Sequence, residues 1–284
     1  MLEVRRATVN SSCVLYKTTF RGRYAGNVLK FPAMNRDPAR PSFRVASPTF
    51  SPLYRQIKDF MIRSLEAGEW GPGDAIPSEG ELAARFNVSQ GTVRKAIDEM
   101  AAENLLIRRQ GKGTFVASHD DPRSFYRFLR LVPDDGNAAQ AVSVPLSCST
   151  KNADADVAAT LGLKVGDPVI YVERLLRFNG ETVVFDQIHL VSDLFAGLTL
   201  ESLSGGDRSL YSLFENDYGV RMIHAEEHLR AVAADPYSAG LLAVQSGSPL
   251  LLVERTAYTY GNKPVEWRRG LYCTNRHYYR NDLG

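Results

Sequence analysis

From Leu53 onward the apolar positions recur with a helical period. Leu53, Ile57, Phe60, Met61, Ile62 and Leu65 predict one broad apolar face on a helix that runs to Ala67, where Gly68, Gly71, Pro72 and Gly73 end it. Ser78 with Glu81 three residues on is a capping box, which predicts a short helix over 79–87. Asn87 and Val88 turn the chain. Ser89 is placed to cap a third helix over about 90–103, whose buried stripe is Val93, Ile97 and Met100 with Ala96 alongside. The period then drops to two. LLIRR (105–109) reads as a strand, QGKG (110–113) as a tight turn and TFVAS (114–118) as a returning strand.

Residues 119–137 (HDDPRSFYRFLRLVPDDGN) interrupt the pattern with Pro and acidic breaks and read as a linker. Beyond them VIYVERLLRF, ETVVFDQIHLV, IHAEEHLRAVA, PLLLVERTAYTY and PVEWRRGLYC all read as strands. FNGE and YGNKP supply two of the turns, and helices fit at 153–161, 209–218 and 235–244. The expected class is α+β: a helical module with a small hairpin over 48–118, then a mostly antiparallel sheet over 138–284. Residues 1–47 sustain neither period and end in RDPARPSF and ASPTFSP, so they read as a disordered basic tail. Met34 offers a second start within that tail, and residues 1–33 are expected to be dispensable.

Composition narrows the class without deciding it. A chain of 284 residues suits about two domains. Hydrophobic content of 44% and charged content of 23% are ordinary for a globular protein. No run approaches ~18 apolar residues, so no membrane span is expected, and no secretory signal is legible. Cys13, Cys148 and Cys273 are widely spaced and suit a reducing cytoplasm, the expected location. Charge is uneven: residues 1–47 hold nine Lys/Arg and two acids, 48–118 hold nine of each, and 119–284 hold sixteen Lys/Arg and twenty-one acids. A neutral middle segment argues weakly for nucleic acid, so the placement of its cations has to carry that reading.

Two helices joined by a tight turn and followed by a β wing form a winged helix-turn-helix, whose third helix enters the major groove of operator DNA by its N-terminus. Ser89, Gln90, Gly91 and Thr92 then lie where amides and short side chains reach phosphates and base edges, and the helix dipole favours phosphate there. Gly91 permits close approach, and Gln90 is placed to read adenine or to bond a phosphate. Arg94 and Lys95 lie one turn on, while Arg109, Gln110, Gly111 and Lys112 build a basic wing. Ser78 and Glu79, at the start of the preceding helix, complete the expected DNA-binding set. The bland alternative is a small helical domain with solvated charges, and the ordered constellation outweighs it. The stretch PSEGELAARFNVSQGTVRKAIDEMAAENLLIRRQGKGTFV resembles the DNA-binding domain of the GntR family of bacterial transcription regulators, over residues 50–117. The family often carries Arg where this chain has Gly80 and Gln90, which puts its usual base preferences in doubt here.

ERLLRFNGE, VFDQIHLV, SLYSLF and PLLLVERTAY…GNKPVEWRRGLY, in that order, resemble the UTRA domain of the HutC subfamily, a chorismate-lyase-like sensor fold, over about 140–280. The resemblance implies a small-molecule effector pocket of Arg174, Asp186, Ser209, Tyr211, Glu266 and Tyr272. Leu176 stands where sugar-phosphate binders carry a second Arg, so a carboxylate suits the site as well as a phosphate. Sugar phosphates, amino acid derivatives and organic acids are the candidate classes. A solvated strand face or a structural ion pair is the plain alternative for these charges.

HAEEH (224–228) matches an inverted zinc-peptidase pattern, but that chemistry needs a helix and the flanks indicate a strand. No nucleophile–base pair is legible, so neither enzyme activity, metal nor cofactor is expected. An architectural DNA binder would not need the acidic second domain. The expected protein is a homodimeric repressor that an effector releases from DNA, with strand edges and WRRGLYC pairing between protomers.

Overall fold

The structure, a computed structural model, describes residues 51–120, 129–136, 141–205 and 208–281. The basic tail, the alternative start at Met34 and part of the 119–137 linker lie outside the described residues.

The first module runs α1 (Leu53–Glu66), α2 (Glu79–Phe86), α3 (Gln90–Ala102), β1 (Leu106–Arg109) and β2 (Gly113–Val116). The capping box forms: Ser78 Oγ accepts from Glu81 N, and Glu81 returns a bond to the Ser78 backbone. Ser89 caps α3 by accepting from Thr92 N. Ile57, Met61, Leu65, Leu82, Val93, Ala96, Ile97 and Met100 close the core with Leu106 and Val116 of the hairpin. The apolar face of α1 is narrower than its sequence predicts. Leu53 and Phe60 are about half exposed, at 51% and 46%. Both lie off the 57–61–65 stripe, and Phe60 stacks instead on Phe86. Gly111, at φ +71°, makes the hairpin turn, and Lys112 N closes it on Arg109 O.

The second module is built on a six-stranded antiparallel sheet among the described residues. Its strands are β4 (Val142–Asn152), β5 (Pro168–Phe178), β6 (Glu181–Val191), β7 (His224–Ala233), β8 (Pro249–Thr259) and β9 (Lys263–Tyr272), in the order β4-β5-β6-β9-β8-β7. Helices α4 (Ala155–Leu161), α5 (Leu200–Ser204), α6 (Leu210–Tyr218) and α7 (Pro236–Leu242) join them. A short pair, β3 (Leu131–Pro133) with β10 (His277–Tyr279), ties part of the predicted linker to the end of the chain. Leu131 is buried there, so this stretch is held by apolar contact and by ladder bonds.

The sheet is an internal duplication. A strand, a helix and two strands (β4, α4, β5, β6) recur as β7, α7, β8, β9. Ala153-Asp154, Gly166, Pro168 and Val172-Glu173-Arg174 recur as Ala234-Asp235, Gly247, Pro249 and Val253-Glu254-Arg255. The loops repeat their bonds as well: Gly166 N donates to Ala153 O, and Gly247 N to Ala234 O. Each helix crosses to the other half, α4 onto β9 and α7 onto β6, so neither half closes its core alone. The duplication puts β9 beside β6 at the centre of the sheet, with both its edges paired. WRRGLYC therefore has no free backbone with which to pair across a dimer, contrary to the expectation from sequence. The free edges among the described residues belong to β4 and β7.

Candidate DNA-binding face and effector site

The first turn of α3 is open. Ser89, Gln90 and Gly91 are exposed, and Thr92 is half-buried. A Cβ built on Gly91 meets only Ser89 Oγ, at 3.8 Å. Nothing inside the protein therefore requires glycine at this position, and in a helix interior it would cost about 0.5–1 kcal/mol relative to Ala, less in a first turn. The space is useful only to something that arrives from outside.

The basic residues beside it are not all free. Glu79, at the first position of α2, accepts from Arg94 Nε at 2.9 Å and pairs with its Nη2 at 2.8 Å. Its other oxygen lies 3.4 Å from Arg108, which also bonds Asp98 at 2.6 Å. The hydrogen bond from Arg94 holds the Glu79 carboxyl below its ordinary pKa. Arg94 is thus aimed by α2, a role for Glu79 that spacing alone does not reveal. Lys95 sits over the Tyr54 ring and Arg109 over the Phe115 ring. Gln110, Gly111 and Lys112 are exposed at the wing tip, and Ser78 is committed to the α2 cap.

Five of the six predicted effector residues converge on one face of the sheet. Register places Arg174 opposite Asp186 and Asp186 opposite Gly270. Arg174 Nη2 and Nε bond Asp186 Oδ2 at 2.9 and 3.0 Å. Tyr211, in the first turn of α6, lies over this face and donates to Glu266 Oε1 at 2.9 Å. Gly270 is required here. A Cβ on it would stand 2.5 Å from the Tyr272 ring and 2.7 Å from Asp186 Oδ1. Ser209 is the sixth: its hydroxyl caps α6 by accepting from Ser212 N, at the rim of the group.

The sequence reading missed Arg268. It bonds Asp186 Oδ2 at 3.4 Å and Glu266 Oε2 at 3.0 Å, so a second guanidinium enters the site from β9 where Leu176 withholds one from β5. The signal was present, since Glu266 and Arg268 are two apart on one strand and share a face. Arg255, the duplicate of Arg174, extends the line to Glu227 on β7 at 2.6 Å, and Tyr279 donates to the same carboxylate. Burial pushes the Tyr211 and Tyr272 hydroxyls up to about 12, and nearby carboxylates add to the shift. Both remain hydrogen-bond donors at neutral pH. Asp186 Oδ1 and Arg268 Nε are buried without a hydrogen-bond partner among the described residues.

HAEEH forms part of β7, and no group of three or more metal-ligating side chains occurs among the described residues. No described helix is long and apolar enough to cross a membrane.

Residues 53–116 match the family described as bacterial regulatory proteins, gntR family, and residues 140–278 match the UTRA domain. The HTH-type transcriptional regulator Rv0792c of Mycobacterium tuberculosis is 33% identical over 68% of this chain and 72% of its own. The chain belongs to the GntR family. It is a ligand-responsive, DNA-binding transcription regulator whose first module reads DNA and whose UTRA domain takes the ligand. The HTH-type transcriptional repressor NagR of Bacillus subtilis is 26% identical over 80% of this chain and 92% of its own. A crystal structure of the ligand-binding domain of a GntR-family regulator from Bordetella bronchiseptica shares 47% identity with a TM-score of 0.55. It covers 56% of this chain and 99% of that one. These relatives are regulators, and the enzyme alternative finds no support among them.

Proposed function

We propose that this regulator is a homodimeric repressor, released from a pseudo-palindromic operator when a small polar or anionic metabolite enters the UTRA face. The single observation that carries the reading is the double attachment of α6. Its first turn supplies Tyr211 to the buried polar group. Its residues from Ser212 to Asn216 grip the chain just past the wing. Ser212 and Asn216 bond Asp120, and Glu215 accepts from Ser118 Oγ at 2.8 Å and His119 N at 2.7 Å. A ligand that displaces Tyr211 acts on the segment that leaves the DNA-binding module. Only a ligand with unequal affinity for the two arrangements regulates, and a bias of about 1–3 kcal/mol changes operator affinity roughly 5–150-fold.

The ligand class follows from the charges. Arg174 and Arg268 suit a carboxylate or phosphate, while Asp186, Glu266 and the phenols suit hydroxyls or an amine. Repression accords with the name of the NagR relative. Dimerisation follows from the few base contacts that one recognition helix makes. The test is a thermal-shift screen of sugar phosphates, amino acids and organic acids, followed by titration of the operator complex with the hits. The complex should dissociate, and Arg174→Ala should need far more ligand. Tightening of the complex would overturn repression by release, and an unchanged Arg174→Ala response would misplace the pocket. Sedimentation at micromolar concentration should give a dimer, and a monomer would reject that part.

The DNA face makes separate predictions. Arg94→Ala and Lys112→Ala should each weaken operator binding and lower the salt slope by about one. Gly91→Ala should keep or raise stability, by less than about 1 kcal/mol, while weakening operator binding. An alanine protein that binds as well as the parent would show that nothing approaches Gly91.

A further inference from the structure

Two adjacent helix starts meet at Gly80 and Gln90. Gly80 occupies the second position of α2 and Gln90 the first of α3. The backbone does not need glycine at 80, since Gly80 is not among the positive-φ residues. Its missing side chain has a different correlate. The Gln90 Nε2 atom stands 3.2 Å from the place a Cβ would take on Gly80, tighter than an ordinary contact, and Ser78 Oγ is next at 3.9 Å. The Gln90 amide therefore lies back across the side-chain-free turn of α2. The next α2 residue toward the N-terminus, Glu79, pairs with Arg94.

We infer that Gly80 and Gln90 form one base-reading unit, in which Gly80 is the positioning residue and the Gln90 amide reads an adenine in each half-site. The inference rests on the DNA-binding face described above and assigns it a base. A carboxamide offers one donor and one acceptor side by side, which matches adenine N6 and N7 in the major groove. Guanine presents two acceptors at that edge and calls for the paired donors of a guanidinium. An amide free to swing over several ångströms would bond phosphate or solvent as readily as a base edge. Packing over Gly80 turns it back toward α2 rather than out into solvent. A methyl at position 80 would stand 3.2 Å from Nε2, so the amide must shift while the rest of the fold has no reason to move.

The experiment is selection of operators from random duplex DNA by the full-length protein, followed by binding to the winning duplex and its single-base variants. The parent should enrich an adenine at one symmetric position in both half-sites, favoured about 5–150-fold over other bases. Gln90→Ala should remove the preference at that position alone. Gly80→Ala should weaken or change the preference at the same position, with its melting temperature kept or raised. Gly80→Ala in the Gln90→Ala background should change nothing further, because both substitutions act on one contact. Gln90→Arg should shift the position toward guanine. Gly80→Ala with unaltered preference, or with an effect that adds fully to that of Gln90→Ala, would overturn the unit. A Gln90→Ala protein that loses affinity equally for all sequences would make Gln90 a phosphate contact and overturn it too. Failure of the parent to enrich any sequence would instead reject the underlying DNA-binding face.

Discussion

Asp186→Ala is expected to destabilise the UTRA domain strongly, whereas loss of ligand response alone would be the outcome at an exposed site. Asp186 is fully buried and holds two guanidiniums, Arg174 at 2.9 Å and Arg268 at 3.4 Å, whose side chains are 8% and 6% exposed. Removal of one partner from a buried ion group leaves uncompensated charge and costs about 3–5 kcal/mol. That is a large share of the roughly 5–15 kcal/mol available to a domain. Here Arg174 loses its carboxylate partner, while Arg268 keeps Glu266 at 2.9 Å. Trp70 and Trp267 are the two tryptophans and fall one in each module, so Trp70→Phe leaves fluorescence that reports the sheet. Urea unfolding in that background should show the Trp267 transition displaced by about 3–5 kcal/mol. A displacement below about 1 kcal/mol, the size expected of an exposed pair, would mean that the network relaxes into solvent.

Arg221→Ala should separate the melting of the two modules. Arg221 is buried just after α6 and pairs with Glu215 at 3.3 Å, with side chains 5% and 1% exposed. It also donates to the carbonyl oxygens of Asn104 at 3.2 Å and Leu105 at 3.5 Å, just beyond the end of α3, and to Tyr260 Oη at 3.1 Å. Burial already pushes the Glu215 carboxyl above its ordinary range, against the bonds from His119 and Ser118 and the charge of Arg221. Without Arg221 that carboxylate loses its cation, and two carbonyls beyond the recognition helix lose a donor. A cost of about 3–5 kcal/mol falls on the contact between modules. Single-tryptophan variants resolve it: the Trp70 and Trp267 transitions coincide in the parent and part in Arg221→Ala. Transitions that remain coincident would show that the modules are coupled elsewhere.

The local elements were legible because each rests on short-range chemistry. Ser78 and Glu81 announce a capping box, and the bonds form. Ser89 announces a cap, Gln110 to Gly113 a turn, and period-two runs the five strands β5 to β9. The misses also have physical causes. β4 lies at an edge, where its mostly exposed and half-buried positions give no clean alternation. β3 and β10 are three residues each, too short for a period, and form only because the fold brings them together. Phe60 belongs to the predicted face by residue type, but the face is narrower than an apolar count suggests.

For the candidate sites the division is sharper. By itself the sequence determined the winged module and the five strands β5 to β9, since motif and spacing are properties of the chain, and the resemblance to the UTRA domain implied the six pocket residues. Only the tertiary structure decided which of these groups meet. Strand register sets Arg174 opposite Asp186 and leaves Ser209 as a helix cap at the rim. The duplication puts β9 at the centre, which brings Arg268 into the site and removes WRRGLYC from any dimer edge. It also decided that Arg94 is held by Glu79 and that the Gln90 amide rests over Gly80. Cross-strand pairing and the packing of one helix start on another are contacts between residues far apart in the chain. No local period encodes them, and they are fixed only when the whole core closes.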